Sequence, residues 1–170
     1  MRIPVVDKQD NIIGYKDRKN RNFKDIYRIT HVWVFNDGND FLIARRNADK
    51  KISSSCWGPA VSGTVEEGEI YESNAVKETA EEIGLRDVAL VPYDKIYYEN
   101  ANGKRFCSIY IIQTNLRADE FRIQKEEVAE VRWISVNDLT SWYNKSPEDF
   151  IPSMGHTSKL VKEYLTRNEN

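Results

Sequence analysis

Glu78, Glu81 and Glu82 stand at i, i+3 and i+4 of a segment whose apolar spacing predicts a helix, which places all three carboxylates on one face. Like charges at that spacing repel, so an isolated helix gains nothing from them. A hard divalent cation reverses the sign, because Mg²⁺ is held by carboxylate oxygens together with substrate phosphates. A solvated acidic helix with lysine partners is the plain alternative. It accounts for one or two of these glutamates, but not for three on one face between Gly63 and Gly84. A further acidic group, Glu126, Glu127 and Glu130, sits in QKEEVAEVRW.

The rest of the chain supplies elements to hold such a face. Val5 and Val6, a polar turn from Asp7 to Asn11, and Ile12 and Ile13 read as a small hairpin. Residues 29–35 and 41–44 flank NDGND, a strong hairpin turn signal. PAVSGTV reads as extended. The helix follows, with Val76, Thr79, Ala80 and Ile83 as its inward stripe and Gly84 at the left-handed C-cap position. Residues 88–99 and 106–114 read as strands around the turn NANGK, and 131–134 as a short strand. Residues 137–143 and 156–167 read as helices, the second with Leu160, Val161, Tyr164 and Leu165 on its apolar side. Strands before and after one central helix predict an α+β sandwich around a mixed sheet.

Length suits one domain over residues 1–170, with an N-terminal hairpin at about 1–27 and a C-terminal helix at about 156–168. Twenty-five basic against 27 acidic residues argue against broad electrostatic binding to nucleic acid. No apolar run has the length of a membrane span, and MRIPVVDKQD lacks the apolar core of a secretion signal. Cys56 and Cys107 form no ligand motif, and His31 and His156 are far apart, so the expectation is reduced thiols in a cytoplasmic setting and no zinc. A sheet-edge or hairpin homodimer is compatible with this pattern.

GTVEEGEIYESNAVKETAEEIGL, from Gly63 to Leu85, resembles the Nudix box of enzymes that cleave diphosphates linked to another group. Gly63, Glu69, Glu78, Glu81, Glu82, Gly84 and Leu85 match its fixed positions; Lys77 replaces its arginine and Thr79 its aliphatic residue. The resemblance implies a Nudix fold, an α/β/α sandwich, and water attack on a nucleoside diphosphate derivative. It implies Mg²⁺ or Mn²⁺ held by Glu78, Glu81, Glu82 and the backbone carbonyl of Ser62, with Glu69 pairing with Lys77 to orient the site. It also makes Glu127, in the loop before the late strand, the candidate base or extra ligand. An ammonium offers only a point charge where the family's guanidinium forks two hydrogen bonds, so Lys77 puts the quality of the site in question. Arg45, Arg46, Lys50 and Lys51 are either phosphate guides or solvated loop charge. Trp57 is a candidate pocket wall beside the metal-binding loop. Trp33, Tyr97, Tyr98 and Phe106 are either base-stacking groups or core.

Residues 4–140 further resemble the isopentenyl-diphosphate isomerase branch of this superfamily, through VVDKQDNIIGYKDR, FLIARRNADKK and CWGPAVSG. Isomerase chemistry requires a cysteine, a glutamate and a histidine-bearing metal site. Ser62, Thr64 and Lys104 or Arg105 stand at the matching places. A serine hydroxyl lacks the acidity of a thiol, so the expected reaction is hydrolysis. Isomerisation, or non-catalytic nucleotide sensing, is the competing reading.

Overall fold

The computed structural model describes residues 1–100 and 102–168, with Asn168 described by its backbone alone. Ala101, inside the expected NANGK turn, and residues 169–170 of the expected domain lie outside the described residues. The element order is β1 (Arg2–Val6), β2 (Ile12–Asp17), β3 (Ile26–Phe35), β4 (Phe41–Arg46), β5 (Trp57–Pro59), β6 (Val61–Thr64), α1 (Tyr71–Glu82), β7 (Val91–Asn100), β8 (Gly103–Gln113), β9 (Val128–Ile134), α2 (Val136–Lys145) and α3 (Met154–Asn168). All the described strands belong to one mixed sheet.

Strand β3 organises it. Along one edge it runs parallel to β8, from Ile26 beside Lys104 to Phe35 beside Gln113. Its other edge is shared in turn by β1, β6 and β4, all antiparallel. Side-chain alternation then separates two cores. Val32, Val34 and Leu42 pack with Ala75 of α1 and with Ile83. Trp33, Phe35, Phe41 and Ile43 pack with Leu139 of α2 and with Met154, Val161 and Leu165 of α3. The sheet is therefore the middle layer of an α/β/α sandwich, the architecture of the Nudix fold.

The helix α1 corrects one expectation. Val76 is 50% exposed, whereas Asn74, Ala75, Thr79, Glu82 and Ile83 are buried. The buried face of α1 is thus partly polar, and the apolar periodicity alone misplaced it by a fraction of a turn. Thr79 takes the aliphatic position buried and with its hydroxyl satisfied, donating to the Ala75 carbonyl at 2.7 Å. Gly84 adopts φ of +75°, as its C-cap position requires.

The N-terminal hairpin is locked down by its own turn. Asp10, 8% exposed with φ of +64°, receives Arg28 Nε at 2.8 Å, Lys95 Nζ at 2.7 Å and the Tyr71 hydroxyl at 3.0 Å. Burial alone would raise its pKa, but the bonds from Lys95 and Arg28 carry it below the ordinary value. Asp10→Ala strands the half-buried Arg28 guanidinium and is expected to cost about 3 kcal/mol. Urea denaturation checks this; a loss below about 1 kcal/mol would mean that the ion cluster is incidental to the docking of the hairpin.

Candidate active site

Helix α1 lies unusually close to β6, and Gly63 is the reason. A Cβ at that position would meet Asn74 Oδ1 and Glu78 Cγ at 2.5 Å each, and Thr30 Oγ1 at 2.9 Å. In the space so cleared, Thr30 donates its hydroxyl to Asn74 Oδ1 at 2.6 Å. Asn74 Nδ2 reaches the Thr64 carbonyl at 3.1 Å and Glu69 Oε2 at 2.9 Å, with Glu78 Oε1 at 3.3 Å. Strand, loop and helix are thereby fixed to one another by a single amide. Asn74 was not among the expected residues, although an asparagine in mid-helix, four residues before Glu78, was a legible signal.

Around this clamp opens a cleft of roughly 830 Å³, lined on one side by Ser62, Thr64, Glu66, Glu78, Glu81 and Glu82. Glu82 lies deepest, 7% exposed, and accepts the Ser62 N–H at 3.1 Å. Burial pushes its pKa up to about 8; the Ser62 bond opposes this, and the charges of Glu78 and Glu127 reinforce it. Burial likewise raises Glu78, with the Lys77 charge opposing and Glu81 adding. Among the described residues no three His, Cys, Asp or Glu side chains already converge on one point.

Lys77 sits among carboxylates. Its Nζ lies 2.9 Å from Glu66 Oε1, 2.6 Å from Glu69 Oε1 and 3.6 Å from Glu78 Oε1. Burial works against its charge, yet the bonds to Glu69 and Glu66 hold its pKa well above the ordinary lysine value. One ammonium thus meets two acids at hydrogen-bond distance, with a third close by. Glu69 also accepts the Glu66 N–H at 2.9 Å, which fixes the loop entering α1. Glu66 is a partner that the sequence reading missed.

Glu127 arrives from the loop before β9. The loop is tied to the end of α1 by the Gln124 N–H on the Glu82 carbonyl at 3.0 Å, and to the β4–β5 loop by the Asn47 N–H on the Glu127 carbonyl at 2.9 Å. Its carboxylate lines the same cleft and is ion-paired with Lys50. Glu126 is exposed, and Glu130 pairs with Arg45 at 2.8 Å, outside the cleft lining.

Two expected substrate contacts fall on the wrong side of the sheet. Strand alternation sends Arg45 toward the α2–α3 face, where it pairs with Glu130 and lies 5.9 Å from the Trp57 ring. Trp57 is 6% exposed in that core, edge-on to Trp142 at 5.7 Å, with Arg132 over its ring at 4.1 Å. Neither lines the acidic cleft; Arg46, one residue on, does, together with Lys50 and Lys51. Trp33 and Tyr98 are core, and neither they nor Tyr97 and Phe106 line the cleft.

The sandwich, with its glycine-flanked acidic helix beside an open cleft, has the architecture that the resemblance to the Nudix box implies. The chain belongs to the Nudix family, whose NUDIX domain profile matches residues 27–154. An uncharacterized Nudix hydrolase of Pseudomonas aeruginosa is 28% identical over 133 residues, 78% of this chain and 77% of that protein. One of Yersinia pestis is 25% identical over 167 residues, 98% of this chain and 86% of that protein. Among solved structures, DR0079 from Deinococcus radiodurans superposes with a TM-score of 0.82 at 16% identity, covering 94% of this chain and 98% of that one. The NUDIX domain of Shewanella oneidensis NrtR complexed with ADP ribose gives 0.66 at 16% identity, covering 88% and 94%. These structural likenesses establish the fold. No helix among the described residues is long and apolar enough to cross a membrane.

Proposed function

We propose that this Nudix hydrolase cleaves a phosphoanhydride of a nucleoside diphosphate linked to another moiety, by Mg²⁺- or Mn²⁺-dependent attack of water at phosphorus. The observation that carries the reading is Glu82: a nearly buried carboxylate with one hydrogen-bond donor, beside Glu78. A buried carboxyl group that is costly to ionise without a partner suits a cation, which would compensate the charge, and an all-oxygen donor set suits a hard one. Glu78, Glu81, Glu82 and the Ser62 carbonyl would hold the ion. When bound, the cation neutralises the diphosphate and makes a water nucleophilic near neutral pH.

The protein's own groups do the remaining work. Glu69, Lys77 and Glu66 keep the base of α1 in register with the glycine loop, as positioning residues. Glu127, ion-paired with Lys50, is the candidate base that takes the proton from water. Ser62 and Thr64, which stand where the isomerase reaction needs a thiol and an imidazole, line the cleft and speak against that reading. Cys107 is fully buried in the α2–α3 core, away from the cleft lining.

The test is a screen of nucleoside triphosphates, dinucleoside polyphosphates, ADP-ribose and sugar nucleotides with Mg²⁺ or EDTA, with isopentenyl diphosphate alongside. Phosphate or nucleotide release that requires the cation is the expected result. Isomerisation without hydrolysis would overturn it, and ligand binding with no turnover would point to a sensor.

A further inference from the structure

The cleft has a second wall, of opposite charge. Facing α1 are Arg18 and Lys19 from the 3-10 turn Arg18–Asn20 after β2, then Arg21, with Arg46 and Lys51 beside them. Residues 18–21 precede the part of the chain matched by the family profile. Hydrogen bonds within the hairpin explain its acid: Asp17 caps the turn by accepting the Lys19 N–H at 2.9 Å. They do not explain its cations.

Among the described residues none of these five forms an ion pair. Arg18 reaches only Met1 Sδ, at 3.5 Å, and Arg46 uses Nε on the Ile52 carbonyl at 3.3 Å. Arg21 is half-buried, and burial together with the positive charges of Arg18 and Arg46 lowers its pKa. Other half-buried cations meet carboxylates, Arg28 on Asp10, Lys77 on Glu66 and Glu69, and Lys50 on Glu127, whereas Arg105 is satisfied by the Lys104 and Asn102 carbonyls. Holding guanidiniums together without a carboxylate costs stability, and an incoming polyanion recovers it. Arg46 also borders the narrow inner end of the cleft with Ser62, Glu82 and Glu127, so the two walls meet there.

We propose that Arg18 and Arg21, with Lys19, Arg46 and Lys51, form an anion clamp for a phosphate of the substrate beyond the scissile diphosphate. The N-terminal hairpin is then a specificity element, and the preferred substrates carry three or more phosphate groups rather than a diphosphate ending in a neutral sugar. The proposal rests on the hydrolase reading for the scissile bond but not for the anion site itself.

The experiment compares the wild type with Arg18→Gln/Arg21→Gln and with Arg18→Lys/Arg21→Lys, after a urea titration shows equal folding. The first readout is kcat/KM with Mg²⁺ for a nucleoside triphosphate over that for a nucleoside diphosphate sugar. The glutamine variant is expected to lower this ratio about tenfold, through KM, with the lysine variant restoring most of it. The second readout is calorimetric binding of inorganic tripolyphosphate against pyrophosphate, with Ca²⁺ replacing Mg²⁺ to slow turnover. Tripolyphosphate is expected to weaken about tenfold more than pyrophosphate. Hydrolysis with an unchanged ratio and unchanged tripolyphosphate affinity sinks the clamp alone. Selective loss of tripolyphosphate binding in a protein that hydrolyses nothing sustains the clamp and sinks the hydrolase reading.

Discussion

Glu82→Gln is expected to lower divalent-dependent turnover by about a hundred- to a thousandfold while making the metal-free protein more stable. The loss of rate follows from removing a charged oxygen from the deepest point of the cleft. The gain in stability follows from linkage. Burial raises the pKa of Glu82 from 4.5 to about 8, against the pull of the Ser62 N–H and with the help of Glu78 and Glu127. Between those two values the folded protein keeps a proton that the unfolded chain releases, so stability falls as pH rises through that window. Glutamine has no proton to lose and keeps the size of the side chain. In EDTA, urea titration should show a gain on the order of 4 kcal/mol at pH 8 and little gain at pH 4.5. Added Mg²⁺ should narrow the difference, by stabilising the wild type more. Equal stability changes at both pH values would detach the effect from the carboxylate.

Gly63→Ala is expected to cost about 3 kcal/mol and to abolish metal-dependent turnover. Its new methyl would stand 2.5 Å from both Asn74 Oδ1 and Glu78 Cγ, so α1 has to move away from β6. That movement breaks the Asn74 clamp and carries Glu78 out of register with Ser62 and Glu82. Gly68→Ala is the control. Gly68 has φ of +88° but open space around it, so only backbone strain of about 1 kcal/mol is at stake there. If the two substitutions prove equally mild, close approach is not the reason for the glycine at position 63.

The acidic helix was readable because its information is local. Three glutamates at helical spacing and two glycines at its ends share a short stretch; the order of strands and helices gave a sandwich around a mixed sheet, and the resemblance to the Nudix box gave its three layers. Departures from the family pattern were readable as residues but not as consequences. Thr79 is accommodated in the buried face because its hydroxyl bonds to the carbonyl one turn back. Lys77 proves well supplied because Glu66 folds back beside Glu69 to meet it.

The contacts that failed were those that depend on which way a strand faces. Arg45 and Arg46 are equivalent in one dimension, yet a period of two sends one to the aromatic core and the other to the cleft. Trp57 went to the core for the same reason, and Val76 went outward because the buried face of α1 is partly polar.

By itself, then, the sequence determined the three glutamates, their spacing on a helix and the glycine that lets the helix approach the sheet, since each depends on neighbours along the chain. Only the tertiary structure decided which charges meet across it. Asp10, part of an ordinary polar turn in the sequence, becomes the anchor of the hairpin because Arg28, Tyr71 and Lys95 converge on it from three separate elements. The same docking sets Arg18 and Arg21 opposite the glutamates. Coulomb interactions act through space and fall off with separation, and separation along the chain does not measure that distance.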